Sequence, residues 1–427
     1  MKKLWSIASA LVVGSLVLSG CGGGGEDHNN HPEIKATIAI PNVAQGTNFS
    51  FDIGAVDPAN GRFYFTDRNN KSVDVIDVAA NKLVRQIFGF RGCNTGAACV
   101  GANNDKSGPD GLNVIPGTTL IYVGDVNSVK IVDTTTDSIV KVIPIGDNSG
   151  LRADEGCYDP DHKLFMINSP GENPPFATFI DTTSQKVIAT LLFTDPGTGS
   201  SGPASAGLEA CVYDHATGSF LNNNDGTTAN PHGEVDVIPA SFVLAGTPAA
   251  PVTLTLPVPT PENGFKVFPL GNCDPTGLDL GPGTDMAIVC RQGTKDVPLT
   301  VEILDRTSGA VLATLNAGGG DEIVYDPARN RYYEAASRWT ANGLSSGPSC
   351  TNVSPCTPVL KVIDAATRSV VETVATGNNA HTVGIDSASG QIYLPFSSAT
   401  SPAGCSSCVN VDPFASGGVL VVQEPNT

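Results

Sequence analysis

The sequence predicts an all-β fold: one seven-bladed β-propeller of four-stranded antiparallel blades. Three observations carry that prediction. A short apolar phrase ending in a polar turn recurs seven times along the chain. A hairpin centred on turn-forming residues precedes it, and an apolar run follows it. One strand-like segment stands alone near the N-terminus, where it can complete the last blade.

The recurring phrase is Ser72-Val-Asp-Val-Ile-Asp77, then Ser128–Asp133, Phe176–Asp181, Glu234–Pro239, Thr300–Asp305, Val359–Asp364 and Gly418–Gln423. Its alternation of Val and Ile with polar residues has the period of a strand, the third of each unit. The preceding hairpins are clearest at Ile53–Thr66, around Asp57-Pro58, and at Cys157–Ile167, around Asp159-Pro160. Equivalent turns fall at Asp214-His215, Gly281-Pro282, Asp326-Pro327 and Asp386-Ser387. Asp, Pro and Gly favour such turns for distinct backbone reasons. The fourth strands read as Lys82–Ile87, Ser138–Ile143 and Lys186–Leu191. The seventh unit has no room for one, and Lys35–Ile40 has the matching pattern. Residues 35–40 are therefore expected to close the last blade, which removes the exposed edges of an open sheet. Helical periodicity is nearly absent. A two-sheet sandwich array is the competing fold, but it does not explain the repeating four-strand unit.

Second strands such as Tyr64-Phe-Thr-Asp67 and Tyr122-Val-Gly-Asp125, followed by third strands ending Val-Ile-Asp, resemble the YVTN-repeat β-propellers. That family includes surface-antigen-like and lactonase-like members. The resemblance covers nearly the whole chain beyond the N-terminal segment, although Ala287–Cys290 and Tyr393–Phe396 depart from the pattern. It implies the propeller and leaves the function open, because propellers host many.

The first residues, Met1-Lys2-Lys3, precede an apolar run from Leu4 to Leu18 that is too short for a stable membrane span. Leu18-Ser19-Gly20-Cys21 resembles the bacterial lipobox. The expected organisation is a signal peptide over 1–20, a flexible tether over 21–32 carrying a lipidated Cys21, and the propeller over 33–427. An ordinary cleaved signal peptide is the competing reading. Gly22 after the cysteine, in place of an acidic retention signal, points to the outer membrane of the cell envelope. The lipid would be the only membrane contact, and a monomer is expected.

The formal charge is −18, or −20 once Lys2 and Lys3 leave with the signal, and the 24 Lys and Arg form no basic cluster. Nucleic acid is excluded as a partner on that ground. Ten cysteines follow Cys21, an even number that in an exported chain argues for disulfides. Cys93–Cys99, Cys350–Cys356 and Cys405–Cys408 are local candidates, and Cys157, Cys211, Cys273 and Cys290 complete the set. Zinc would need a second ligand pair, which Cys405-Ser-Ser-Cys408 lacks.

Long insertions fall between second and third strands (168–175, 222–233, 338–358, 397–417) and between units (91–109, 195–206). In an up-and-down blade both connections emerge on one face. A protein or small-molecule partner is expected there, on loops held by a rigid scaffold.

Aligning the units places ionisable residues at the start of every first strand: Asp52, Asp110, Asp154 with Glu155, Glu209, Asp274, Asp321 with Glu322, and His381. First strands of propellers line the central channel, so these groups are expected around one mouth on the loop-rich face. Crowded carboxylates take up protons or bind a cation, and oxygen ligands suit Ca²⁺. Asn69, Asn127, Asn168 and Asn223 would add further oxygens. The first functional expectation is an envelope binding module with an acidic, calcium-binding mouth. The alternative is a metal-dependent, lactonase-like hydrolase with His381 as general base. Gly343-Leu-Ser-Ser-Gly347 matches the nucleophile-elbow spelling, but it lies in a loop where the required strand-to-helix turn is missing.

Overall fold

The computed structural model describes residues 31–43, 48–93, 101–146, 148–194, 207–347, 350–351, 354–398, 414 and 416–425. Residues 1–30, with Cys21, lie outside the described residues, as do Cys99, Cys405, Cys408 and the insertion 195–206.

Seven sheets form the blades. Blade one holds β2 (Phe51–Asp57), β3 (Arg62–Asp67), β4 (Ser72–Asp77) and β5 (Lys82–Phe88). Blade two holds β6 (Leu112–Val114), β7 (Leu120–Asp125), β8 (Ser128–Asp133) and β9 (Ser138–Pro144). Blade three holds β10 (Gly156–Asp159), β11 (Leu164–Ser169), β12 (Phe176–Asp181) and β13 (Lys186–Leu192). In blade four β14 (Leu208–Asp214), β15 (Ser219–Asn224) and β16 (Glu234–Pro239) are followed, after an insertion, by β18 (Lys266–Pro269). Blade five holds β19 (Pro275–Leu280), β20 (Asp285–Cys290), β21 (Thr300–Asp305) and β22 (Val311–Leu315). Blade six holds β23 (Ile323–Asp326), β24 (Arg331–Ala336), β25 (Val359–Asp364) and β26 (Ser369–Ala375). Blade seven takes β27 (Gly384–Asp386), β28 (Gln391–Phe396) and β29 (Gly418–Gln423) from the C-terminal end and β1 (Glu33–Ile38) from the other. All seven third strands have the bounds read from the sequence. The closing strand starts two residues earlier than expected and pairs antiparallel with β29, from Glu33 opposite Gln423 to Ile38 opposite Val419.

The aspartate that ends the third strands has a structural job. Its carboxylate accepts a hydrogen bond from the backbone of the turn that follows: Asp77 from Ala80 N at 2.7 Å, Asp133 from Thr135 N at 2.8 Å, Asp181 from Ser184 N at 2.6 Å and Asp364 from Thr367 N at 2.7 Å. The last residue of each such turn adopts positive φ, from Asn81 through Asp137, Gln185 and Arg368; in blade five that position is Gly309.

Blade four has Pro239 in place of that aspartate, and its turn is replaced by the insertion 240–265. The insertion makes a four-residue helix, α1 (Ala240–Val243), and a strand, β17 (Val252–Thr255), that pairs parallel with β13. Blade three thereby gains a fifth strand. This connection leaves β16 on the face opposite the other insertions and runs back along the blade edge through β17, so the one-sided reading of the loops misses it.

Apolar side chains meet between blades, not within them. Seven clusters fill the seven gaps, for example Tyr64 and Val75 against Ile121 and Val132, and Phe63 and Phe65 against Tyr393 and Val421. Disulfides join Cys157 to Cys211, Cys273 to Cys290 and Cys350 to Cys356, and Cys93 is also disulfide-bonded. The first of these ties the innermost strands of blades three and four, with Cα atoms 5.6 Å apart. Ser345, the serine of the elbow-like spelling, is buried and donates its hydroxyl to the Gln292 carbonyl.

Candidate functional site at the channel mouth

The first strand of each blade lies beside the axis, so the residues at its start fall around the channel mouth. A cavity of about 240 Å³ lies there. Asp52, Asp154, Glu155, Glu209, Asp321 and His381 all line it. Asp110 sits just behind, its carboxylate within 4.8 Å of those of Asp52 and Asp154. Two expected members lie elsewhere. Asp274 folds back, accepting from Gly293 N at 2.5 Å, with His232 3.5 Å away. Glu322 lines a second cavity of about 210 Å³ nearer the channel middle, where Thr382 Oγ1 and Val383 N donate to its Oε2. Glu155 lines both cavities. The four asparagines are engaged structurally: Asn168 Nδ2 donates to Glu209 O and Asn223 Nδ2 to Thr276 O, both at 2.7 Å, while Asn69 and Asn127 accept from Ser50 N and Gly150 N.

Four arginines share the cavity with the acids: Arg68, Arg152, Arg291 and Arg338. A search for oxygen ligands passes over them, so the mouth read as acidic is a mixed-charge site. Arg68 Nε donates to Asp110 Oδ1 at 2.6 Å and its Nη2 bridges Asp52 and Asp110. Arg152 Nη2 pairs with Asp154 Oδ2 at 2.8 Å. Arg291 lies 3.5 Å from Glu209 and 3.6 Å from Asp321, and its guanidinium makes no hydrogen bond among the described residues. Position after the second strand holds a signal for two of these: Arg68 and Arg291 each directly follow the last residue of β3 and β20.

Burial dominates the titration of these groups. It works against ionised Asp52, but Arg68, His381 and Arg152 overcome it and hold that carboxyl well below the usual range. Burial pushes Asp154 up to about 7 against the pull of Arg152, and Glu322 up to about 8. Asp110 is raised well above normal by its complete enclosure, with Arg68 and Arg152 opposing. Glu155 is raised by burial, then by Glu209, Asp154 and Glu322, and its carboxyl has no ion pair among the described residues. Burial and the neighbouring Arg291 lower Arg338 to about 10.

His381 is held on three sides. Its ring stacks on Phe51 with centroids 4.6 Å apart, Nδ1 donates to Asn379 O at 2.6 Å, and Nε2 faces Asp52 Oδ1 at 3.6 Å. Burial opposes its charge, yet the carboxylates of Asp52 and Asp321 outweigh burial and raise its pKa. That environment favours the protonated ring more than water does.

The fold and site together define a seven-bladed β-propeller with a mixed-charge channel mouth. No family model matches the chain, and no curated protein matches it. Among solved structures, it is similar to Kuenenia stuttgartiensis hydrazine synthase, with a TM-score of 0.57 and 14% identity over 84% of this chain and 96% of that one. It is also similar to a chain of the mitotic checkpoint complex, with a TM-score of 0.54 and 10% identity over 91% and 96%. At these identities the likeness is one of fold alone.

Proposed function

We propose that the protein is a lipid-anchored binding propeller of the cell envelope, whose channel mouth takes a small polar ligand carrying both an anionic and a cationic group. One observation carries this reading. Arg291 presents unspent donors to a cavity that also holds Glu155, a carboxyl without a cationic partner among the described residues. A carboxylate seated at Arg291 and an ammonium seated at Glu155 would complete both. The disulfides support an oxidising compartment outside the cytoplasm. The YVTN-like repeats and the lipobox-like Cys21 support reading the chain as an envelope propeller.

A second reading keeps the cation. Asp52, Asp321 and His381 each offer a ligand atom, all within 4.8 Å of one another. Ca²⁺ there would serve binding, or polarise a lactone carbonyl in a hydrolase. It would have to displace the proton that the surroundings of His381 favour.

Calorimetry of the mature domain against amino acids and betaines, against matched amines and carboxylates, and against CaCl₂ separates these readings. Zwitterions bind on the first reading. Arg291→Gln then weakens them about tenfold or more, because a hydrogen bond to a charged group contributes roughly 1.5–3 kcal/mol. Equal binding of the matched carboxylates, or stoichiometric calcium with chelator-sensitive lactone turnover, rejects it in favour of the second.

A further inference from the structure

The insertion of blade four builds a third cavity, remote from the axis, of about 290 Å³. The segment 256–259 forms one wall after leaving β17, and Phe265 and Val267 form another as the chain enters β18. Leu256, Pro257, Val258, Phe265 and Val267 make this lining apolar. Its floor is not. Glu234 and Asp236 of β16 lie there, on the same face of the blade as Val267, which pairs opposite Asp236.

These two carboxyls adjoin, are 4% and 1% exposed, and have no ion pair among the described residues. Glu234 Oε2 accepts from Thr227 Oγ1 at 3.0 Å and from Asn230 Nδ2. Asp236 Oδ2 accepts from Asn224 Nδ2 at 3.0 Å, while its Oδ1 has no hydrogen-bond partner. Lys266, the cation at the rim, is spent elsewhere: its Nζ donates to Thr307 O of blade five at 2.8 Å. A buried acid pair without a counter-cation is unfavourable unless it holds a proton or a cation. Burial, then Glu234, push Asp236 up to about 8, against the hydrogen bond from Asn224, so this carboxyl takes up a proton unless a positive group neutralises it.

We propose that this cleft between blades three and four is a second ligand site, taking a small organic monocation whose ammonium sits on Glu234 and Asp236 and whose apolar body lies against Phe265 and Leu256. The shape supports a compact ligand, since the volume is at the small end of the roughly 300–1,000 Å³ typical of ligand pockets. The ammonium replaces the proton that burial favours on Asp236 and donates to both carboxylates. Aliphatic walls supply affinity without fixing identity, and the acid pair supplies the selection for charge.

The test uses the whole mature domain with hexylamine, hexanol and hexanoate as probes of matched shape. Isothermal calorimetry at pH 8 reads binding directly. Hexylammonium is expected to bind at least tenfold more tightly than hexanol, and hexanoate not at all. Asp236→Asn, nearly isosteric, is expected to reduce hexylammonium binding at least tenfold while leaving hexanol unchanged. Val258→Trp starts from a position 53% exposed and fills the cleft without touching the acids, so it keeps the test alive should Asp236→Asn misfold; it is expected to abolish binding of both. Arg291→Gln, at the axis, leaves hexylammonium unaffected and so separates this site from the channel mouth. The proposal is overturned if the three probes bind alike, if hexylammonium does not bind at millimolar concentration, or if it binds the correctly folded Val258→Trp domain as well as the parent.

Discussion

Replacing Arg68 by methionine probes the charged mouth most directly. The side chain is 6% exposed and it serves two acids at once, Asp52 and Asp110, with a further bond to Asn104 Oδ1 at 3.0 Å. Methionine keeps much of the apolar stem and removes the charge. Asp110 is then left with Arg152 Nη1 at 3.8 Å, and its Oδ2 has no partner even in the parent. Removing one partner of a buried pair costs about 3–5 kcal/mol, a large share of the roughly 5–15 kcal/mol that a folded domain commands. Guanidinium unfolding followed by circular dichroism at pH 8 measures it. The sign of the pH dependence follows from the same geometry. Without Arg68 the native carboxyls of Asp52 and Asp110 have pKa values above the unfolded value of about 3.9. Their native state then binds protons more tightly than the unfolded chain, so stability is lost as pH rises through that window. The penalty of Arg68→Met therefore shrinks between pH 8 and pH 5. A penalty below about 1 kcal/mol, the value of an exposed pair, or one equal at both pH values, refutes the buried-network account.

Three further outcomes are expected. His381 has a native pKa above its usual value of about 6.5, so its contribution is fully present below that pH and drains away as pH passes the native value. His381→Gln should cost more stability at pH 6 than at pH 9 in urea melts; equal costs contradict the Asp52 pairing. Losing the Cys157–Cys211 bond, which closes a loop of 54 residues, should cost roughly 4 kcal/mol, against roughly 3 for the 17-residue Cys273–Cys290 loop. Paired Cys→Ala variants compared by unfolding midpoint check that order. Cys21→Ser should release the protein from membranes and abolish metabolic labelling with palmitate; unchanged fractionation removes the lipid anchor from the proposal.

The repeat was legible because its signal is chemical as well as periodic. Val-Ile-Asp followed by a tight turn specifies both a buried strand and the carboxylate that caps the next turn. The same logic marks the irregularity inside the chain, as distinct from the closing blade, whose third strand ends in Gln423. Pro239 stands where Asp77 or Asp133 stands in other blades, and it has neither the cap nor the tight turn. A reading that aligned apolar positions alone passed over that substitution, and with it the insertion 240–265 and the fifth strand of blade three. At the channel mouth, the first-strand alignment identified Asp52, Asp154, Glu155, Glu209, Asp321 and His381 as neighbours. The arginines escaped it because they come from other positions: Arg68 and Arg291 after second strands, Arg152 from a connection between blades, Arg338 two residues past β24. Opposite charges are drawn into one buried space from unrelated points in the chain, and a register search for a single residue type finds half of such a site. Asp274 shows the reverse case. Its position matches the register, but its positive φ and its bond to Gly293 turn it into the loop.

Closure through β1 also orders assembly in time. The strand made early must wait for β29, made nearly last; Lys35 bonds to Gln423 across 388 residues. Bringing such distant ends together costs roughly 5 kcal/mol of loop entropy if nothing between them is folded, and much less once six blades have stacked and carried the ends to one place. The latch therefore engages at the end of folding and converts a string of sheets into a ring. Until then the outer edge of β29 is an open template, and a short peptide copying residues 33–38 should compete for it during refolding.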